Sequence, residues 1–142
     1  MDYLLYMVRE DIKLEDINNT KKVITHNIYD ALDNLKYKPM LMIYDLMYGL
    51  EVLKIIRSNP KNHHIKIIVA TANENYGLLK NAFLLGADYY IHFPINYKDL
   101  RKIVEAIRIE RLIFIQNFSF CFPKQKKISA QKIKEIEVKK TL

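Results

Sequence analysis

Three glycines in the whole chain, Gly49, Gly77 and Gly86, leave nothing from which to build a phosphate-binding loop or a dinucleotide fingerprint, so nucleotide binding by those routes is excluded. One cysteine, Cys121, cannot close an internal disulfide, and its phenylalanine neighbours favour a buried apolar thiol over a reactive one. No apolar run approaches the length of a membrane span. The opening "MDYLLYMVRED" carries neither a basic leader nor a small-residue cleavage site, and a cytoplasmic location without membrane contact is expected. Histidine is equally sparse in useful company. His63 and His64 are adjacent and therefore point apart, with no acid or cysteine nearby to complete a metal site, and His26 and His92 merely flank strand patterns.

What the chain does have is apolar content, half of its 142 residues, enough for one domain with a proper core. The net charge of +7 is unevenly placed. Residues 124–142 hold seven lysines and two glutamates, so that segment carries +5 and the remainder is nearly neutral. An acidic partner would be sought at that tail.

Apolar runs and helical stripes alternate along the chain. Tyr3 to Val8 reads as a strand that Arg9-Glu10-Asp11 end abruptly; "IKLEDINNT" leaves room for barely two helical turns before "KKVIT" resumes a strand. Asn27 with Asp30 marks a helix start, with Ala31, Leu32 and Leu35 as its stripe to about Lys36. Met40 to Tyr44 follow as a buried strand tipped by Asp45. Gly49 opens a helix carrying Leu50, Val52, Leu53 and Ile56, which "SNPKN" stops. "IKIIVA" at 65–70 is a strand, Asn73 caps the next helix, and Gly86 sits at its left-handed terminus. "DYYIHF" is a fifth strand, and "NYKDLRKIVEAIRIERL" an amphipathic helix. Five such alternations predict an α/β, doubly wound, five-stranded parallel sheet with helices on both faces, because each parallel step needs a crossover. In that architecture ligands collect beyond the carboxyl ends of the strands, here Arg9-Glu10-Asp11, Asp45, Thr71 and Phe93-Pro94.

Beyond this body, Phe118, Phe120 and Phe122 alternate with Ser119 and Cys121 in "IFIQNFSFCF", a period of two that predicts a strand with one greasy face. Its cover would be this domain, folding over the gap left by a short first helix, or a second copy of the chain in a homodimer, or a partner. After Pro123 the basic segment, with Ile133 and Ile136 on one helical side, reads as a solvated helix, an arm for an acidic protein, or a phosphate contact. It is too short for a complete DNA-binding output domain.

"KYKPMLMIYDL" running into "GLEVLKIIRSNP", with "IIVATA", "LLGADYYI" and "FPIN", resembles the receiver domain of bacterial response regulators. The likeness runs from about Tyr3 to Leu112, giving a receiver-like domain at 1–112 and a C-terminal extension at 113–142. It implies a flavodoxin-like sheet of order 2-1-3-4-5 with a shortened first helix. It also implies that Asp45, six residues after Pro39, is the phosphoacceptor. Thr71 matches the threonine beyond the fourth strand, Tyr90 the aromatic thought to couple phosphorylation to a surface, and Pro94 a proline preceded by a cis bond. The lysine expected before that proline is missing, since Phe93 stands there.

The family's acidic pair for magnesium falls on Arg9 and Glu10 in one register and on Glu10 and Asp11 in the other. In the first, the Arg9 guanidinium could pair with Asp45 where a metal would stand. In the second, Glu10, Asp11, Asp45 and the Met47 carbonyl form a weak cation set, weakened further because the loop before Gly49 is shortened to "LMY". Thr71 and Tyr90 stand either as a retained switch or as a strand terminus and a half-buried strand tyrosine. Tyr89, Tyr90 and the helix after the fourth strand form a candidate contact surface. The expectation is an atypical, stand-alone pseudo-receiver, not an enzyme. It would act through protein contacts in signalling or assembly, with a histidine kinase or assembly protein as partner, without efficient phosphorylation and without a tightly held cofactor. The alternatives are a magnesium-dependent, phospho-accepting single-domain regulator and, ranked last, nucleic-acid binding by the tail.

Overall fold

The buried strands carry apolar side chains on both of their faces, which is the signature of a parallel sheet covered on each side. In the computed structural model, which describes residues 1–9, 13–72 and 75–117, the strands are β1 (Asp2–Met7), the largely unburied edge strand β2 (Thr20–Thr25), β3 (Leu41–Asp45), β4 (Lys66–Thr71) and β5 (Tyr89–His92). All neighbours are parallel, in the order β2-β1-β3-β4-β5. This is the doubly wound arrangement that the alternation of strand and helix predicts. The helices are α1 (Ile28–Asn34), α2 (Glu51–Ser58), α3 (Tyr76–Leu84) and α4 (Tyr97–Asn117). None of the described helices is long and apolar enough to cross a membrane. The chain divides between Ile95 and Asn96 into two units, the first holding the sheet and α1 to α3, the second containing α4.

One face of the sheet is lined by Leu5, Met7, Met42, Tyr44, Ile67, Val69 and Tyr90, which pack with Ala31, Val52, Leu53, Ile56, Leu79 and Ala82 of the three helices. The alternate set, Leu4, Tyr6, Leu41, Ile43, Ile68 and Ala70, is equally buried. In α4 the stripe Leu100, Ile103, Val104 and Ile107 is buried at helical spacing.

Helix ends follow local chemistry. The Asn27 side chain caps α1 by accepting from Asp30 N at 2.9 Å. The cap of α3 is Asn75, which accepts from Leu78 N, and not Asn73, which lies outside the described residues. Gly49 has φ of 93° and Gly86 of 113°, values that L side chains avoid. At Gly86 a Cβ would also meet Arg57 Cγ at 2.7 Å.

That close approach belongs to a staple. Arg57, near the end of α2, donates from Nε to Gly86 O at 3.0 Å, from one terminal nitrogen to Asn62 O at 2.8 Å and from the other to Asp88 Oδ2 at 2.8 Å. The same Asp88 oxygen accepts from Ile67 N at the start of β4. One guanidinium thus ties α2, the loop before β4 and the turn before β5 together. Burial pushes the Arg57 pKa down while Asp88 opposes the shift, so the side chain stays charged.

Two expectations are corrected. The described part of "IKLEDINNT", residues 13–19, contains no helix; it ends in a turn with Asn19 at φ 60°. Its Asn and Asp side chains compete for local backbone bonds and the stretch is too short to offset helix nucleation. Lys22 instead reaches back to Asp16 at 2.6 Å, and Ile17 is buried. Second, α4 runs through Asn117, so residues 113–117 are helical and not the start of a strand. No helix breaker occurs there, and adding a residue to an existing helix costs far less than nucleating a new element. The phenylalanine alternation at 118–122 and the basic tail lie outside the described residues.

Replacing Arg57 by alanine takes the cation from Asp88, which keeps the Ile67 N–H, and removes a donor from two carbonyls, at a site where the arginine side chain is 17 % exposed. Equilibrium urea unfolding of Arg57→Ala is expected to show a loss of about 3 kcal/mol, and a loss below about 1 kcal/mol would show the staple to be dispensable.

Candidate functional site

Asp45 is the last residue of β3, the central strand, so its side chain emerges where the sheet stops supplying backbone partners. It is nearly inaccessible, with 6 % of the side chain exposed. A carboxylate held there must find donors or a cation. It finds both. Oδ1 accepts from Met47 N at 2.9 Å, capping the short 3₁₀ turn Leu46–Tyr48. Oδ2 accepts from Arg9 Nε at 2.9 Å. Arg9 lies two residues past β1, the strand beside β3, so the pairing of those strands brings the guanidinium to the carboxylate. The arginine side chain is 56 % exposed, which leaves its far edge toward solvent.

The loop after Asp45 is anchored on its other side. Tyr48, absent from the sequence-based candidates, donates its hydroxyl to His26 O at 2.7 Å. His26 Nδ1 lies 2.7 Å from Val8 O, which can only accept, so that nitrogen bears the proton. The Tyr48 phenol is pushed up from its ordinary pKa, by burial first and by the Asp45 carboxylate second, with Arg9 opposing. It therefore remains a neutral donor at physiological pH. The ends of β1, β2 and β3 are thereby laced together around Asp45.

Thr71 ends β4 and is buried; Asp45 pairs in register with Ala70, one residue earlier. Thr71 O accepts from Phe93 N at 2.9 Å, drawing the end of β5 toward it. The Phe93-Pro94 peptide is cis. Tyr90 is buried among the core residues on the α1–α3 face, and Tyr89 is buried in the alternate set. The expected contact surface is corrected accordingly: neither tyrosine is offered to a partner, because both are buried. The exposed large side chains of α3 are Tyr76 and Leu84.

The described residues by themselves do not make up a divalent-cation set. Magnesium asks for several oxygens at about 2.1 Å, and both Asp45 oxygens are already engaged, one of them by a cation. Among the described residues no three His, Cys, Asp or Glu side chains cluster as a metal set. Met47 directs its N–H to Asp45. Glu10 and Asp11, the remaining sequence candidates, lie outside the described residues.

No protein-family model matches the chain, and no curated protein sequence does. Solved structures do. A response regulator from Thermotoga maritima superposes with a TM-score of 0.65 at 22 % identity, over 75 % of this chain and 96 % of its own. The signal receiver domain of a DNA-binding response regulator from Colwellia psychrerythraea gives 0.63 at 22 %, over 74 % and 96 %. The fold is the receiver fold of response regulators. A two-component response regulator from Clostridium difficile agrees, at 0.62 and 18 % identity, over 75 % of this chain and 95 % of its own. At such identities the likeness carries the fold and not the chemistry. Within this receiver fold, Asp45 occupies the carboxyl edge of the central strand, Phe93 precedes the cis proline, and a guanidinium holds the carboxylate.

A double-mutant cycle measures that pair. Thermal or urea unfolding of Arg9→Ala, Asp45→Asn and the double variant is expected to give a coupling energy of about 1 kcal/mol. Arg9→Ala alone should be the more costly single change, because it leaves a buried carboxylate without its cation; additive effects would show that the pair contributes nothing to the fold.

Proposed function

We propose that this chain is a receiver-like signalling module whose phosphoacceptor position is held by an internal ion pair, and that it works by standing protein contact instead of by phosphorylation. The observation that carries the reading is the Arg9 Nε to Asp45 Oδ2 bond at 2.9 Å. Phosphorylation of an aspartate needs a divalent cation to hold the anionic oxygens of donor and acceptor together, and a fixed positive group for the charge that develops. Arg9 supplies a positive charge at Asp45 but cannot coordinate, and it occupies an oxygen that the cation would take. Phe93 supplies no charge where the resemblance implies a lysine.

An arginine that satisfies the carboxylate permanently favours one conformation, which suits a module recognised by shape. The partner is a protein, with a histidine kinase or an assembly component as the class, and the exposed Tyr76 and Leu84 of α3 provide apolar contact area. The module needs no catalytic activity and no cytoplasmic cofactor for such a role.

A second reading is favoured by the retention of Asp45 at the strand tip and of Thr71 at the end of the neighbouring strand. In it, Glu10 and Asp11 hold magnesium, Asp45 accepts the phosphoryl group, Thr71 binds it and Tyr90 reports it. Titration of the labelled protein with magnesium and beryllofluoride, followed by amide NMR, separates the two. Under the first reading no shifts centred on Asp45, Thr71 and Tyr90 appear up to millimolar magnesium, and Arg9→Asp brings them into range. Shifts in the unmodified chain that vanish in Asp45→Ala would sink it in favour of phosphorylation.

A further inference from the structure

At the opposite edge of the sheet, where β3 and β4 begin, lies a groove that the receiver-fold site does not use. Its cavity is about 540 Å³, formed between the end of α1 with its following turn and the end of α2 with the turn at Pro60–Asn62. Leu32 and Leu35 line it from one side and Ile55 from the other, and three lysines, Lys36, Lys38 and Lys61, surround them. No acidic residue and no aromatic ring is among its lining residues. Lys36 is engaged with Asp33 at 3.3 Å. Lys38 and Lys61 have no ion pair among the described residues. Ile55 is 44 % exposed although it projects from a helix whose other apolar residues are buried.

The backbone adds an independent observation. Lys38 sits at φ 54°, ψ 63°, the left-handed conformation in which glycine or asparagine is preferred. A lysine there costs stability that a glycine would recover, while it places a cation at the groove.

We propose that this groove docks an acidic, amphipathic segment of a partner protein, with an apolar anchor seated on Leu32, Leu35 and Ile55 and flanking carboxylates met by Lys36, Lys38 and Lys61. Charge decides the occupant. The chain's own residues 124–142, with seven lysines and two glutamates, are repelled, as is the same segment of a second copy. A second copy meeting the groove with its own groove would oppose lysine to lysine. Single-stranded nucleic acid would find cations and one exposed ring at the border, Tyr37 beneath Lys36, but its phosphates would leave the aliphatic lining uncovered. An apolar centre ringed by one sign of charge fits a peptide of the opposite sign.

The test uses the full chain with methyl-labelled leucine and isoleucine, titrated with a synthetic helical peptide bearing glutamates on one face and leucines on the other. Methyl signals of Leu32, Leu35 and Ile55 are expected to shift, and the same peptide with glutamine for glutamate should leave them nearly unmoved. Lys38→Glu with Lys61→Glu should weaken binding by about tenfold, whereas Arg9→Ala should not change it. Lys38→Gly separates the roles: the unfolding midpoint should hold or rise while binding falls. The proposal is overturned by silence of these methyls up to millimolar peptide, by equal affinity for the glutamine version, or by an unfolding midpoint that drops in Lys38→Gly. It is also overturned if a single-stranded oligonucleotide moves the same methyls as strongly, which would assign the groove to phosphates.

Discussion

A carboxylate that is nearly inaccessible at the tip of the central strand sets the terms for everything around it. The sheet has run out of backbone donors at Asp45, and burial makes an uncompensated negative charge costly. In this chain the compensation is internal. Arg9 approaches from the neighbouring strand and Met47 N–H from the following turn, and between them they take one oxygen each. The loop geometry follows from that arrangement: the turn Leu46–Tyr48 is capped by Asp45, and Tyr48 locks its far end to the backbone of His26. Since His26 in turn reaches Val8 O, side chains join the carboxyl edges of three strands.

A second tie secures the body of the domain. Arg57 satisfies carbonyls from two loops and the Asp88 carboxylate, whose remaining bond holds the first residues of β4. The two arginines do different things. Arg57 is largely enclosed and makes three bonds in a fixed fork, which suits a structural part. Arg9 makes one bond at the mouth of a site and remains half in solvent, so its weight lies in what it keeps out of that site as much as in the stability it adds. The amino-terminal edge of the sheet, with its lysine-bordered groove, faces a different chemistry, and nothing couples it to the Asp45 site within the bonds described.

Much of the architecture was legible because it rests on local patterns. Apolar runs four to six residues long, separated by capped helices, require a parallel sheet, and Asn27, Gly49 and Gly86 mark the helix boundaries by their own chemistry. The failures were also local. "IKLEDINNT" had the length for two turns but not the propensity, and the apolar, β-branched stretch after Leu112 continued a helix already formed, because propagation overrides a short strand-like pattern. The position of Asp45 at a strand tip could be read from its place after Met40 to Tyr44. The role of Tyr48 could not, since its bond to His26 spans 22 positions and leaves no periodic trace.

The sequence by itself determined the order of elements, the placement of a carboxylate at the end of the third strand, and the absence of a lysine at Phe93, because each depends on residues close together in the chain. It left open which of Arg9, Glu10 and Asp11 faces that carboxylate, since a shift of one residue exchanges an arginine for an acid. Tertiary structure supplies the Arg9 contact: the parallel register of β1 against β3 fixes how far the chain has advanced when it leaves the sheet, and it brings Arg9 to Asp45, while Glu10 and Asp11 lie outside the described residues. The lysine-bordered groove is likewise a product of packing. Lys38 and Lys61 lie far apart in sequence, and the turns before β3 and β4 become neighbours only because those strands pair.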